Sequence, residues 1–130
     1  MEVGNLLIID DDQDVLNAIH SQCSGLEADI ILSSSIKKAL KLFEKYQFDC
    51  VVVDIHVGGE CGLEFAKKVK QEFGAIPIVF ISGFMDEFTL KKAKLIGAFD
   101  IIEKPFAGED LVYVLEDAIF EGMEYRKQAA

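Results

Sequence analysis

Residues 48–62 read FDCVVVDIHVGGECG. Val51, Val52 and Val53 form an unbroken apolar run, the pattern of a strand buried on both faces of a parallel sheet. The run ends on Asp54 and passes at once into a loop with Gly58, Gly59 and Gly62. A carboxylate closing a buried strand is costly unless it has a partner or a task. Helical spacing then takes over in GLEFAKKVKQEFG (62–74), with Leu63, Phe65, Ala66 and Val69 on one side and Gly74 as its stop. Strand, glycine loop and helix in this order make one unit of a β-α-β fold.

Working outward, the same unit recurs. LLII (6–9) is a short buried strand, and the following segment places Val15, Ala18, Ile19 and Gln22 or Cys23 at helical spacing, with Gly25 as a C-cap. ADIILSS (28–34) reads as a strand, and Ser35 caps a helix through Ile36, Ala39, Leu40 and Phe43. IPIVFIS (76–82) is the fourth strand, followed by a helix over 86–97 closed by Gly97. FDIIEK (99–104) is the fifth strand, stopped by Pro105. The last helix covers 108–127, acidic at its start and basic at its end as the helix dipole favours. Five alternations predict one α/β domain over residues 1–130, a parallel sheet with helices on both faces and no output domain.

Composition narrows the function. Of 130 residues, 51% are hydrophobic, which excludes a disordered chain. No apolar run reaches the roughly 18 residues of a membrane span, and the N-terminus lacks the basic region of a signal peptide. These features predict a cytoplasmic protein with no membrane partner. A net charge of −10 repels phosphate backbones and argues against nucleic acid binding. Three cysteines without a C-x-x-C pair, and two histidines, argue against structural zinc.

All strands of a parallel sheet point the same way, so the carboxyl ends of strands one, three, four and five share one edge, where ligands bind in such folds. There the sequence places Asp10-Asp11-Asp12, Asp54, Ser82-Gly83 and Lys104-Pro105. One of Asp11, Asp12 or Asp14 suits the cap of the first helix. Adjacent carboxylates at a strand end repel, and a hard cation with oxygen ligands, Mg²⁺ (or Mn²⁺), holds them best. The set fits one chemistry: Asp54 attacks phosphorus and becomes an acyl phosphate, Asp10 and Asp11 hold the metal, Lys104 supplies a cation and Ser82 a donor.

These residues resemble the receiver domains of two-component response regulators. LLIIDDD is similar to the family's first strand and acidic pair, VVVDIHVGGECG to its phosphoacceptor strand and loop, IPIVFISG to its hydroxyl position and EKPF to its lysine–proline pair. The resemblance covers essentially the whole chain. It implies a flavodoxin-like doubly wound (βα)5 fold, with five parallel strands in the order 2-1-3-4-5. It implies that the phosphoryl group comes from a sensor histidine kinase or a phosphotransfer protein. The metal ligands would be the Asp11 and Asp54 side chains and the backbone carbonyl of His56, with Asp10 acting through water. Lys104-Pro105 would be cis. Phosphorylation would draw Ser82 inward and reshape the face of the fourth helix, fifth strand and fifth helix for an output partner or a homodimer, with Gly83, Phe84 and Pro105 among the positions that tune the switch.

Three positions depart from the family. Ile101 stands where an aromatic ring usually swings with the hydroxyl, which predicts a different or muted switch. Gly58 replaces a customary proline in the loop. His56 and Phe84 occupy positions that tune hydrolysis, and their bulk predicts a shielded, longer-lived phosphoryl group. In the last helix Leu111, Val114, Leu115 and Ala118 form the core stripe, while Val112, Tyr113, Ile119, Phe120 and Met123 add apolar area for a partner or for tighter packing. Two other functions fit parts of the pattern. One is a docking module with the same fold that no longer uses phosphate. The other is a haloacid-dehalogenase-type phosphatase built on Asp10-Asp11-Asp12, for which the chain lacks a later acidic pair.

Overall fold

In the computed structural model, which describes residues 3–129, five parallel strands form the central sheet. They are β1 (Gly4–Ile9), β2 (Ala28–Ser33), β3 (Cys50–Asp54), β6 (Ile78–Ser82) and β7 (Asp100–Glu103), in the order β2-β1-β3-β6-β7. Counting only these strands, the order is 2-1-3-4-5. The helices are α1 (Gln13–Gln22), α2 (Ile36–Leu42), α3 (Gly62–Phe73), α4 (Glu87–Ile96) and α5 (Gly108–Ala129).

Alternation along the central strands builds two cores at once. Leu7, Ile9, Val51, Val53, Ile78 and Phe80 point toward α2, α3 and α4. Leu6, Ile8, Val52, Val79 and Ile81 point toward α1 and α5. All eleven are 0% exposed, which explains why these strands read as unbroken apolar runs.

The loop after Asp54 folds into a small antiparallel hairpin, β4 (His56–Val57) and β5 (Glu60–Cys61). Gly58 and Gly59 make its two-residue turn with φ of 53° and 85°, values that side chains with a Cβ rarely adopt. Gly58, which stands in place of the family's customary proline, serves this tight reversal.

Two helix readings need correction. Gly25 does not cap α1: the helix ends at Cys23, whose N–H bonds the Ile19 carbonyl, and the Ser24 N–H bonds the Ser21 carbonyl. The buried stripe of α1 is Leu16, Ile19 and Cys23, and Ala18 is exposed. In α5, Ile119 belongs to the core and Val114 is only half-buried. Of the apolar residues set apart from the stripe, Tyr113 and Phe120 alone are largely exposed, at 72% and 67%.

The base of α5 is locked to the sheet. A Cβ at Gly122 would collide with the Asp49 carbonyl, so glycine lets this helix lie against β3. Asp49 is fully buried just before β3, accepts a hydrogen bond from the Asn5 N–H at 2.8 Å, and pairs with Arg126 Nε at 3.0 Å.

Candidate functional site

Sheet register brings the expected residues to one edge. Ile9 lies beside Val53, Asp54 beside Ile81, and Ser82 beside Glu103. Asp10, which follows Ile9, therefore emerges level with Asp54, and Lys104 follows two residues after Ile102, the β7 residue in line with Asp54. The Lys104 Nζ donates to Asp10 Oδ2 at 2.9 Å and to Asp54 Oδ2 at 2.6 Å. The other oxygen of each carboxylate accepts a backbone N–H. Asp12 N–H reaches Asp10 Oδ1 at 2.9 Å, and His56 N–H reaches Asp54 Oδ1 at 3.0 Å. Each acid thus closes a turn onto the residue two positions later.

The site is nearly dry. Asp10 is 1% exposed, Asp54 8% and Ser82 1%. Burial pushes the Asp10 carboxyl above its ordinary value, against the opposing pull of Lys104 and the Asp12 N–H; the charge of Asp54 adds to the rise. Burial alone would lower Lys104, but its hydrogen bonds and charge pairing with Asp54 and Asp10 outweigh this and raise it. Lys104 is therefore a firmly charged ammonium shared between two carboxylates.

The local backbone supports this placement. Lys104-Pro105 is cis, and the Lys104 N–H bonds the Ser82 carbonyl at 2.7 Å. A Cβ at Gly62 would strike the carbonyl of Asp54, so only glycine lets α3 start this close to the acid. Asp12 caps α1 through its side chain, which accepts from Asp14 and Val15 N–H.

Other expected residues lie nearby without joining the cluster. Asp11 is exposed at the mouth of the site, its Cβ close to Gly58. The Ser82 hydroxyl donates to the Phe84 carbonyl at 2.8 Å and accepts the Phe84 N–H at 3.2 Å, so it is engaged with the β6–α4 loop. Gly83, Pro105 and the His56 side chain are exposed, and the Phe84 ring is 69% exposed. Neither His56 nor Phe84 is buried over Asp54 in this geometry. Ile101 is half-buried and packs on the α2–α4 side of the core. Sequence reading missed the buried Asp49 and its Arg126 partner, because 77 residues separate them and neither lies in a motif.

Mg²⁺ suits the donors by their chemistry, since the carboxylates and the His56 carbonyl are all oxygens. Among the described residues no three His, Cys, Asp or Glu side chains are gathered as a metal cluster. Lys104 fills the place of a cation between Asp10 and Asp54. Mg²⁺ retains waters and needs few protein ligands, so two carboxylates and a carbonyl remain a sufficient set.

The model of the response regulator receiver domain matches residues 6–116. The chain belongs to the receiver domain family of response regulators. Over 127 residues it is 28% identical to the transcriptional regulatory protein FixJ of Bradyrhizobium diazoefficiens, covering 98% of this chain and 62% of FixJ. It is 30% identical to the response regulator protein TodT of Pseudomonas putida over 124 residues, covering 95% of this chain and 55% of TodT. The receiver chain thus spans about 62% or less of the length of these relatives. Among solved structures, the signal receiver domain of a putative Luxo repressor protein from Vibrio parahaemolyticus superposes with a TM-score of 0.91 at 12% identity, covering 99% of each chain. A CheY-like receiver domain protein from Methanospirillum hungatei superposes at 0.87 with 18% identity, covering 95% of this chain and 99% of that one. These likenesses show the fold. Among the described residues of the receiver, no helix is long and apolar enough to cross a membrane.

Proposed function

We propose that Asp54 is the phosphoacceptor of this receiver domain. The observation that carries the reading is the Lys104 ammonium held at 2.6 Å from Asp54 and 2.9 Å from Asp10 in a nearly dry pocket. An Asp54 carboxylate oxygen attacks the phosphorus of a phosphohistidine on a sensor kinase or phosphotransfer protein. The new P–O bond forms as the P–N bond breaks, and the imidazole nitrogen leaves with the electron pair. Lys104 is placed to release Asp54 and take up the charge of the phosphoryl oxygens without leaving the site. The Asp11 and Asp54 carboxylates and the His56 carbonyl would hold Mg²⁺, with Asp10 acting through water, and the metal would neutralise charge on the phosphoryl oxygens.

The switch begins at Ser82. To reach an acyl phosphate on Asp54, its hydroxyl must leave both bonds with Phe84, which frees the loop leading into α4. With Ile101 already packed into the core, that loop and α4 carry the change, and the face formed by α4, β7 and α5 presents it to an output partner or a second receiver. His56 and Phe84 act on phosphoryl lifetime only if phosphorylation brings them over the site.

Intact-protein mass after incubation with Mg²⁺ and a small phosphoramidate donor tests the reading. Wild type is expected to gain one phosphoryl group and Asp54→Ala none. Equal labelling of both would remove Asp54 as the acceptor. No labelling of either, with no spectral response to beryllofluoride, would favour a docking module.

A further inference from the structure

Charge is unevenly distributed in this acidic domain. The three helices α2, α3 and α4 carry nine lysines and three acidic residues. The two helices on the opposite face, α1 and α5, carry seven acidic residues and two basic ones, with His20 neutral. Lysines of α3 and α4 meet at an open groove of about 590 Å³ between the two helices, lined by Leu63, Lys67, Lys70, Lys92, Leu95 and Ile96. Residues 63, 67 and 70 follow one side of α3, and residues 92, 95 and 96 follow one side of α4, so two stripes of lysine and aliphatic groups face each other. Among the described residues of β7 and α5 none lines this groove, which lies on the α3 side of α4.

Ammonium groups gathered in one groove repel each other unless an anion lies among them. Among the described residues that line it, Glu64 is the one acidic group. None of Lys67, Lys70 and Lys92 forms a salt bridge with a described residue, and Glu72 of α3 pairs with Lys68 instead, at 3.9 Å. Lys70 is half-buried, and its Nζ donates to the Ile76 carbonyl at 3.4 Å. Its Cε lies 3.7 Å from the place a Cβ would take at Gly97, so this side chain spans from α3 to the end of α4. Burial draws the Lys70 pKa below its ordinary value, against the opposing charge of Glu121, and an anion beside the ammonium would offset that cost. Between the lysines the groove is apolar. Leu63 is buried, Ile96 half-buried and Leu95 87% exposed.

We propose that the α3–α4 groove binds a nucleoside polyphosphate, with Lys67, Lys70 and Lys92 holding the phosphate oxygens and the base lying on Leu63, Leu95 and Ile96. A singly charged anion would leave most of the three ammonium groups without a partner, whereas a di- or triphosphate carries charge for all of them, and lysine meets phosphate as a mobile point charge. The groove has the size of a small-molecule pocket, about 300–1,000 Å³, and more room than phosphates alone would fill. Its apolar part suits a flat heterocycle, and Glu64 and Gln71 offer hydrogen-bonding groups to the polar edge of a base. The net charge of −10 repels polyanions at a distance, but salt screens that repulsion beyond about 8 Å at physiological ionic strength, and the lysines act at contact. Binding here uses neither Asp54 nor its metal and does not rest on the role of Asp54.

Nuclear magnetic resonance of the nitrogen-15-labelled chain, titrated with ATP at physiological ionic strength, tests the proposal. EDTA keeps divalent metal from joining phosphate to the Asp54 site. Saturable shifts are expected in the amides of residues 63–71 and 92–97. Tripolyphosphate, which lacks the base, is expected to move the same amides and to bind about tenfold more weakly. Lys67→Glu with Lys92→Glu should abolish binding. Lys37→Glu with Lys41→Glu, the same charge change at exposed positions of α2, should leave it intact. Circular dichroism checks that both variants keep the fold. Absence of saturation, shifts centred on other residues, or equal loss of binding in the α2 variant would each overturn the site. Tripolyphosphate binding as tightly as ATP would remove the base from the groove and overturn the nucleotide assignment, and so would tighter binding by a glutamate-rich octapeptide.

Discussion

Lys104 is charged because two buried acids hold it, and Asp10 pays in acidity for its dry position. The folded pKa of Asp10 lies above its ordinary 3.8. The stability contributed by its protonated form is therefore present below 3.8 and lost as pH rises through the folded value. Asp10→Asn mimics the protonated state, so it is expected to raise the melting temperature at neutral pH, with the gain fading toward pH 3; calorimetry at the two pH values checks both. For Lys104 the raised value means stability present below 10.5 and lost as pH rises through the folded pKa. Lys104→Met leaves two nearly buried carboxylates facing each other and is expected to cost about 2 kcal/mol or more in urea unfolding. Gly62→Ala forces a methyl group into the Asp54 carbonyl and should destabilise by a comparable amount while displacing the acid. Asp54 and Lys104 were legible because each ends a strand whose apolar run is unmistakable. The Ser82 rotamer was not legible, since a hydroxyl bonds its own loop or a distant group according to local geometry that the letters do not encode.

The β6–α4 connection behaves as one element held by two short side chains. Ser82 ties its start to Phe84, and Asp86 caps α4 by accepting the Thr89 N–H at 2.7 Å. The bond to Thr89 draws the Asp86 carboxyl below its ordinary 3.8. Its stabilising effect is thus present above 3.8 and is lost as pH falls through the lower folded value. Ser82→Ala removes the first tie at a cost of about 1 kcal/mol, and hydrogen exchange is expected to speed up at Phe84 and the first turn of α4 while β6 stays protected. Unchanged exchange there would mean that the hydroxyl does not hold the loop. Helix existence and most caps were readable here, with Gly97 at φ 94° ending α4 as its position suggested. Gly25 misled because glycine marks a helix end only when the chain needs a left-handed residue, and α1 ends on Cys23 without one.

At the scale of the molecule, α5 is fixed at its far end by the Asp49–Arg126 pair and by the close approach at Gly122. Arg126→Met withdraws the cation from a fully buried carboxylate and is expected to lower stability by about 3 kcal/mol, with α5 past Gly122 exchanging faster than its first turns. Equal exchange along the whole helix would assign the anchoring to apolar packing alone. Strand succession and the shared edge followed from alternation in the sequence. This anchor did not, since Asp49 sits in an ordinary strand entry and Arg126 in an ordinary helix end, and only the folded chain brings them together. The separation of lysines and acids onto opposite faces has a wider consequence. The domain carries an electric dipole across its sheet as well as a net negative charge. A field from any charged neighbour exerts a torque on it, turning the lysine side toward anions before the surfaces touch, so the direction of approach is selected during diffusion rather than at contact.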